Sequence, residues 1–233
     1  MKIIILAGGL GRRLLPYTVS LPKPLIPVGD YPILEILIRR LKKFDLTDMT
    51  LAVGHLGNLI ESYFGDGSKW GVKIKYQYEN KPLGTVGPLA RIKGLKQTFL
   101  VMNGDLLTLL NYSELIDFHQ KSKALATIAA QKRSVPIDFG IIQNNSHNLV
   151  TRYIEKPRLF YQVSMGVYLF EPEILKFIPQ NEKFDFPQLV NLLLQKRKKV
   201  AIYPSSDFWL DIGHPDDYAK AVEVFPRLKK KLF

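Results

Sequence analysis

The chain has 233 residues, 46% of them hydrophobic and 23% charged, with a formal net charge of +12 and no cysteine. Its size and apolar fraction suit a globular protein with a sizeable core, built as one large domain or two small ones. The absence of cysteine excludes disulfides, a zinc knuckle and a thiol nucleophile, and makes a reducing cytoplasm the expected location. No apolar run reaches the length of a membrane span, and the opening Met1–Leu6 run breaks at Gly8 before a signal-peptide core forms. No membrane partner is expected. The excess positive charge sits in Arg39-Arg40 with Lys42-Lys43, in the run from Gln195 to Lys199, and in the tail from Arg227 to Lys231. These read as solvated helix faces and ends. Aromatic residues do not interleave with them as in an RNA-binding sheet, so the charge points to small anionic partners and not to nucleic acid.

In chain order, Lys2–Leu6 is a continuous, β-branched run and reads as a buried strand. Ile33–Lys43 places apolar residues at helical spacing, with Asp30 available as a cap and Pro32 suited to the first turn. Thr50–Val53 is a second strand, Leu59–Phe64 belongs to a second helix, and Val72–Tyr76 is a third strand. The pattern of Val86–Lys96 predicts a helix, and Phe99–Met102 a fourth strand stopping at Asn103-Gly104-Asp105. Further on, Leu125–Gln131, Gly140–Gln143, Val150–Glu155 and Ser164–Phe170 read as strands, and Asp185–Gln195 and Pro215–Val224 as helices. No linker, repeat or low-complexity segment separates the halves. The expectation is one domain over 1–233, with two halves (about 1–110 and about 111–233) sharing a sheet, and no appended solenoid or regulatory domain.

Alternating strands and helices at this spacing imply parallel strands joined by right-handed crossovers, so the fold class is α/β, with a Rossmann-like mixed, mostly parallel sheet flanked by helices. Ligands in such sheets gather at the carboxyl ends of the strands. Three unusual stretches fall there: the glycine loop after the first strand, Glu79–Thr85 after the third and Asn103–Asp105 after the fourth. In the glycine loop, Gly8, Gly9 and Gly11 let backbone amides converge on an anion, and Arg12 and Arg13 add bidentate cationic donors. Two better-known phosphate loops are excluded. Leu14 occupies the third glycine position of the dinucleotide fingerprint, and no Gly-Lys-Ser/Thr is present.

The wider pattern is more specific. Leu6-Ala7-Gly8-Gly9-x-Gly11-x-Arg13-Leu14-x-Pro16-x-Thr18 is followed by Pro22-Lys23-Pro24-Leu25-x-Pro27-Val28. Then come Pro82-Leu83-Gly84-Thr85, Asn103-Gly104-Asp105, Glu155-Lys156-Pro157 and Trp209-Leu210-Asp211-Ile212-Gly213. In this order, across nearly the whole chain, the blocks resemble the sugar-1-phosphate nucleotidylyltransferases (nucleotide-diphosphosugar pyrophosphorylases). The resemblance implies the nucleotide-diphosphosugar transferase fold, with a nucleotide-binding half (about 1–110) and a sugar-phosphate-binding half (about 111–233). It also implies a reaction in which a sugar-1-phosphate oxygen attacks the α-phosphorus of a nucleoside triphosphate and releases pyrophosphate. The chain departs from the family pattern at Arg12, where the family commonly has threonine, and at Ser164, where it usually has asparagine.

The nucleophile of that reaction is already anionic, so no general base is required. The four histidines, His55, His119, His147 and His214, form no constellation and read as structural or surface residues. What the chemistry needs is positioning and charge neutralisation. Asp105 and Asp211, each at a strand end, can share a hard divalent cation, and oxygen-only ligation favours Mg²⁺, held by the matching aspartates in the family. By the same resemblance Arg13 and Lys23 serve the phosphates, which makes Arg13, Lys23, Asp105 and Asp211 the expected catalytic set. The nucleotide is assigned to Leu6, Ala7, Gly8, Gly9, Gly11, Arg12, Arg13, Glu79, Pro82, Gly84, Thr85, Asn103 and Gly104. The sugar phosphate is assigned to Gly140, Glu155, Lys156, Ser164 and Gly166.

Glu79 bears on the base. Relatives that use uridine or thymidine nucleotides usually carry glutamine there, whose donor and acceptor match uracil or thymine. A carboxylate offers only acceptors and matches the adjacent N1–H and N2–H₂ donors of guanine. Glutamate there resembles the guanylyltransferases, and Pro82-Leu83-Gly84-Thr85-x-Gly87-Pro88-Leu89 resembles the mannose-1-phosphate guanylyltransferases in particular, so the resemblance implies GTP and mannose-1-phosphate as substrates. A heptose-1-phosphate guanylyltransferase, a glucose-1-phosphate nucleotidylyltransferase using another nucleotide, and a catalytically silent nucleotide-sugar-binding subunit are the alternatives. A homo-oligomer is compatible with the sequence.

Overall fold

The computed structural model describes residues 1–79 and 81–233. The chain opens with β1 (Lys2–Ala7), buried on both faces: Ile3 and Ile5 enter one apolar cluster and Ile4 the other. A two-residue ribbon, β2 (Pro27–Val28) with β3 (Tyr31–Pro32), leads into helix α1 (Ile33–Lys42). Then follow β4 (Asp48–Val53), α2 (Gly57–Phe64), β5 (Lys73–Tyr78), β6 (Phe99–Asn103), β7 (Leu106–Thr108) and α3 (Tyr112–Ser122). The remaining elements are β8 (Ala126–Pro136), β9 (Ile141–Asn144), β10 (Val150–Ile154), β11 (Arg158–Phe170), α4 (Phe186–Gln195), β12 (Val200–Ser205), β13 (Trp209–Asp211) and α5 (Pro215–Leu232).

Seven strands form one sheet in the order β12-β8-β11-β6-β1-β4-β5, so strands from both halves of the chain share it. β1 pairs in parallel with β4 and β6, β4 with β5, and β12 with β8; β11 runs antiparallel to β6 and β8. The expected mixed, mostly parallel sheet is what the chain forms. The register sets the site. Leu6 is level with Asn103, Ala7 with Val53, and Val53 with Tyr78. Gly8, Gly54, Glu79 and Gly104 therefore leave the sheet along one edge, where Glu79 N–H bonds Val53 C=O (2.9 Å) and Gly104 N–H bonds Leu6 C=O (2.9 Å).

Several local expectations are corrected. Val86–Lys96 is not a helix: only a 3-10 turn, Gly87–Arg91, forms. The N–H groups of Val86 and Gly87 both go to Phe184 C=O, and Gly94 takes a positive φ of 81° that ends any helical path. Asp30 does not cap α1. Pro32 stands at the N-cap position with no side-chain bond, and Asp30 pairs with Lys229 (3.1 Å). The last helix continues beyond Val224 to Leu232, through Pro226. Ala221, Phe225 and Leu232 repeat at helical spacing and bury against Ile33, Ile36 and Ile212, and that packing outweighs the lost backbone bond. Among the described residues no helix is long and apolar enough to cross a membrane.

Candidate active site

The carboxyl ends of β1, β5 and β6 open onto a cavity of about 330 Å³. Its lining contains Leu6, Ala7, Gly8, Gly9, Glu79, Pro82, Gly84, Thr85, Asn103 and Gly104, every expected nucleotide-binding residue except Gly11, Arg12 and Arg13. Lys23, Pro24 and Asp105 complete it. Gly11 lies just outside and shapes the loop, its carbonyl accepting the Leu14 N–H (2.8 Å) and the Thr18 hydroxyl (2.9 Å). Arg12 is exposed.

Glu79 reaches the cavity next to Gly8, where an added side chain would come within 3.3 Å of Glu79 Oε1. The other oxygen, Oε2, accepts the Leu83 N–H (3.1 Å). Burial pushes this carboxyl above its ordinary range, while the Leu83 amide and the charge of Arg91 pull it back. The carboxylate thus keeps acceptor capacity toward the cavity and has no donor of its own when ionised.

Asp105 and Asp211 meet because β7 and β13 pair antiparallel, with Asp211 opposite Leu106 and Ile212 N–H bonded to Asp105 C=O (3.1 Å). Asp105 lines the first cavity. Asp211 lines a second depression of about 270 Å³ with Arg13, Arg133, Trp209, Gly213 and His214. The acidic pair stands between the two. Burial pushes the Asp211 carboxyl above the usual range and the Asp105 carboxylate adds to that, while Lys23 and Arg13 oppose it. Lys23 donates to Asp105 Oδ2, and Asp105 Oδ1 is buried with no hydrogen-bond partner among the described residues.

That orphaned oxygen is the test of fit for a cation. Two hard carboxylates, one with an unpaired buried oxygen and the pair in mutual repulsion, suit a divalent ion that takes its remaining ligands from phosphate and water. Among the described residues no cluster of three or more His, Cys, Asp or Glu surrounds a common point, so an all-protein cage is not on offer. An ion of the Mg²⁺ type fits this donor set.

Arg13 is held differently from expectation in one respect. Its Nη1 donates to His214 Nε2 (2.9 Å), and its guanidinium lies against Gly213, 3.3 Å from where a Cβ would be. Neither His214 nor Arg133, which sits 5.3 Å over the Trp209 ring, carried a sequence signal for this site. His119, by contrast, is structural as expected: it is buried and bonded to Thr127 (2.7 Å) and Glu171 (3.1 Å).

The residues expected to hold the sugar phosphate divide into two groups. Gly166 lies at an irregularity in the β11–β8 register and is pressed against Asn103. Its φ of +69°, and the 2.7 Å left between a built Cβ and Asn103 Nδ2, leave room for glycine only. Ser164 donates to Tyr168 (2.9 Å) and accepts the Gly166 N–H (3.2 Å), and the Trp209 indole donates to Met165 C=O (2.8 Å). This strand segment therefore reaches both Asn103 in the cavity wall and the strand that carries Asp211. Gly140, Glu155 and Lys156 instead belong to the β9–β10 hairpin and its connections and line neither cavity. Gly140 is backed by the Tyr153 ring, whose hydroxyl donates to Glu155 (3.0 Å). Glu155 and Lys156 are exposed.

A mixed α/β sheet with a glycine loop, a carboxylate pair and cations at one edge is an arrangement suited to a phosphate-bearing ligand, and comparison names the family. The chain belongs to the nucleotidyl transferase family, whose model matches residues 2–226. It is 33% identical to the mannose-1-phosphate guanyltransferase of Saccharomyces cerevisiae, over 97% of this chain and 64% of that protein. It is also 33% identical to a UTP–glucose-1-phosphate uridylyltransferase of Synechocystis, over 95% of this chain and 62% of that one. The chain thus spans less than two thirds of the length of these curated relatives. Among solved structures, HddC from Yersinia pseudotuberculosis superposes with a TM-score of 0.75 at 25% identity, covering 96% of this chain and 99% of that one. The same protein complexed with GMP-PN gives a TM-score of 0.73.

Proposed function

We propose that the chain is a sugar-1-phosphate nucleotidyltransferase that joins GTP and mannose-1-phosphate into GDP-mannose with release of pyrophosphate. The observation that carries the choice of base is the Glu79 carboxylate beside Gly8, which presents acceptors to the cavity and matches the adjacent N–H donors of a guanine edge. Two features support it: relatives named as mannose-1-phosphate guanyltransferases, and a structural neighbour solved with GMP-PN. A uridylyltransferase of equal identity makes the base and the sugar matters for measurement.

In this reading the triphosphate lies along the Gly8–Gly11 loop. Lys23 and Arg13 offset charge on the α-phosphate and the departing pyrophosphate. The sugar phosphate oxygen attacks without a general base, because it is already ionised. Asp105 and Asp211 would hold Mg²⁺, which when bound would supply neutralisation of phosphate charge. Ser164 and Gly166 form one wall for the sugar, and Gly140, Glu155 and Lys156 approach from the hairpin side.

The test is a matrix of GTP, UTP, dTTP and CTP against mannose-, glucose- and heptose-1-phosphate, read as pyrophosphate release with and without Mg²⁺. The expected result is fastest release from GTP with mannose-1-phosphate, dependent on the metal. Preference for UTP, dTTP or CTP removes the argument from Glu79. Release from no pair leaves a nucleotide-sugar-binding protein without catalysis.

A further inference from the structure

The loop that reads the base does not hold itself in place. Pro82–Gly87 follows Glu79 closely, lines the cavity with Pro82, Gly84 and Thr85, and supplies the Leu83 N–H that orients the Glu79 carboxylate. Its polar groups are satisfied by a segment about a hundred residues away, at the start of α4. Val86 and Gly87 N–H both donate to Phe184 C=O (2.9 and 3.0 Å), and Phe184 N–H returns to Leu83 C=O (2.9 Å). Thr85 N–H and Thr85 Oγ1 both donate to Asp185 Oδ1 (2.9 and 3.3 Å), and the Thr85 hydroxyl accepts Phe186 N–H (3.0 Å). Gly84 turns through a φ of +80° directly under this contact. A Cβ there would meet Asp185 Oδ1 at 2.6 Å and Phe184 O at 2.7 Å.

The anchoring segment is itself fixed. Asp185 N–H donates to Gln188 Oε1 (2.8 Å), and the buried Phe186 ring stacks on Tyr168 with centroids 3.7 Å apart and planes 16° apart. Of these contacts, the Asp185 carboxylate is the only side-chain acceptor that takes Thr85. Thr85 is exposed, so loss of this acceptor hands its two donors to water and removes a tie between the cavity loop and the start of α4.

We propose that Asp185 is a positioning residue for base recognition. Through Thr85 it fixes the loop so that Leu83 N–H meets Glu79 Oε2 and the carboxylate faces a guanine edge squarely. The inference rests on reading the first cavity as the nucleotide site. It predicts an effect on guanine nucleotides that exceeds the effect on uracil nucleotides, because only the former spend both carboxylate acceptors.

The experiment measures displacement of a fluorescent GTP analogue by GTP and by UTP, with thermal midpoints in parallel, for the wild type, Asp185→Ala, Asp185→Asn and Thr85→Val. For Asp185→Ala the GTP dissociation constant is expected to rise about tenfold, the scale at which small misplacements in a site are felt. UTP should change by less than about twofold, and Asp185→Asn, which keeps an Oδ1 acceptor, should recover most of the loss. Thr85→Val, which loses the hydroxyl's bonds to Asp185 and Phe186 but keeps the Thr85 N–H bond, should weaken GTP binding by less than Asp185→Ala and with the same preference over UTP, which keeps the test open should Asp185→Ala fail to fold. Equal weakening of GTP and UTP, or unchanged GTP binding in a folded Asp185→Ala or Thr85→Val variant, overturns the positioning role while leaving the nucleotide site intact. A wild type that binds neither analogue nor nucleotide overturns the site reading itself, and the inference with it.

Discussion

At the nucleotide end of the site, Gly8, Glu79 and Gly104 follow directly on β1, β5 and β6, and the neighbouring residues of β1 and β6, Ile5 and Met102, are fully buried. At the other end, Gly140, Glu155 and Lys156 belong to a ribbon made of β9, β10 and the outer parts of β8 and β11, whose apolar side chains face water. Phe139 is 78% exposed and Val150 65%, and the consecutive Leu159, Phe160 and Tyr161 are all exposed. Consecutive exposure means that both faces of the strand are uncovered, since neighbouring side chains point to opposite faces. One region holds its binding groups by a register that the core enforces. The other holds them by local pairing alone. In the proposed reading, base and phosphate recognition is built into the fold, whereas sugar recognition sits where the fold constrains least.

The largest expected effect falls at the junction of the two regions. Asp211→Asn should lower turnover on the order of 10²–10³-fold, the usual cost of losing one preorganised electrostatic contact. The same variant should not lose stability, because the amide ends the repulsion with Asp105 that burial intensifies. Pyrophosphate release and an unfolding midpoint measured side by side check this. A variant that unfolds while keeping activity in its folded fraction would move Asp211 out of the chemistry and into the scaffold.

A smaller effect, on stability alone, sharpens the first half of the comparison. Ile5 is fully buried in β1, immediately before Leu6, the first residue of the chain to line the cavity. Ile5→Ala should cost about 2–5 kcal/mol by denaturant unfolding, through lost burial and the cavity left behind. Nucleotide affinity of the folded fraction should fall too, since β1 aligns both β4 and β6. Loss of stability with affinity intact would show that the loop geometry does not depend on the strand register.

The sequence exposed these regions unequally, for physical reasons. The β1 run and the glycine loop were legible because a buried parallel strand is a continuous apolar run and a phosphate loop is rich in glycine. Asp105 and Asp211 were found through motif blocks, and their proximity then followed from β7–β13 pairing, which three-residue strands do not announce. Helix α3 went unread although Asn111 and Glu114 bear the spacing of a capping box; the Asn111 carbonyl oxygen accepts Glu114 N–H (3.3 Å) and its amide donates to the Glu114 carboxylate (2.7 Å), while Asn111 N–H goes to Asp207 (3.2 Å). Val86–Lys96 looked helical because its apolar spacing is real, yet Phe184 takes the first N–H groups. Contacts such as Thr85–Asp185 and Arg13–His214 join residues a hundred or more positions apart, and no local pattern encodes them.

The smallest effect is expected on the ribbon, and there the comparison is easiest to break. Ile142 lies in β9 and is 58% exposed, so folding removes little of its apolar surface from water. Ile142→Ser should therefore change unfolding free energy by no more than about 0.5 kcal/mol, as for surface positions without a special contact. Nucleotide affinity should not change, because no residue of β9 or β10 lines the first cavity. A loss above about 1.5 kcal/mol would be a core-sized response from a surface position. It would mean that the exposed face of the ribbon is covered in solution, and that the sugar end of the site is held by packing after all.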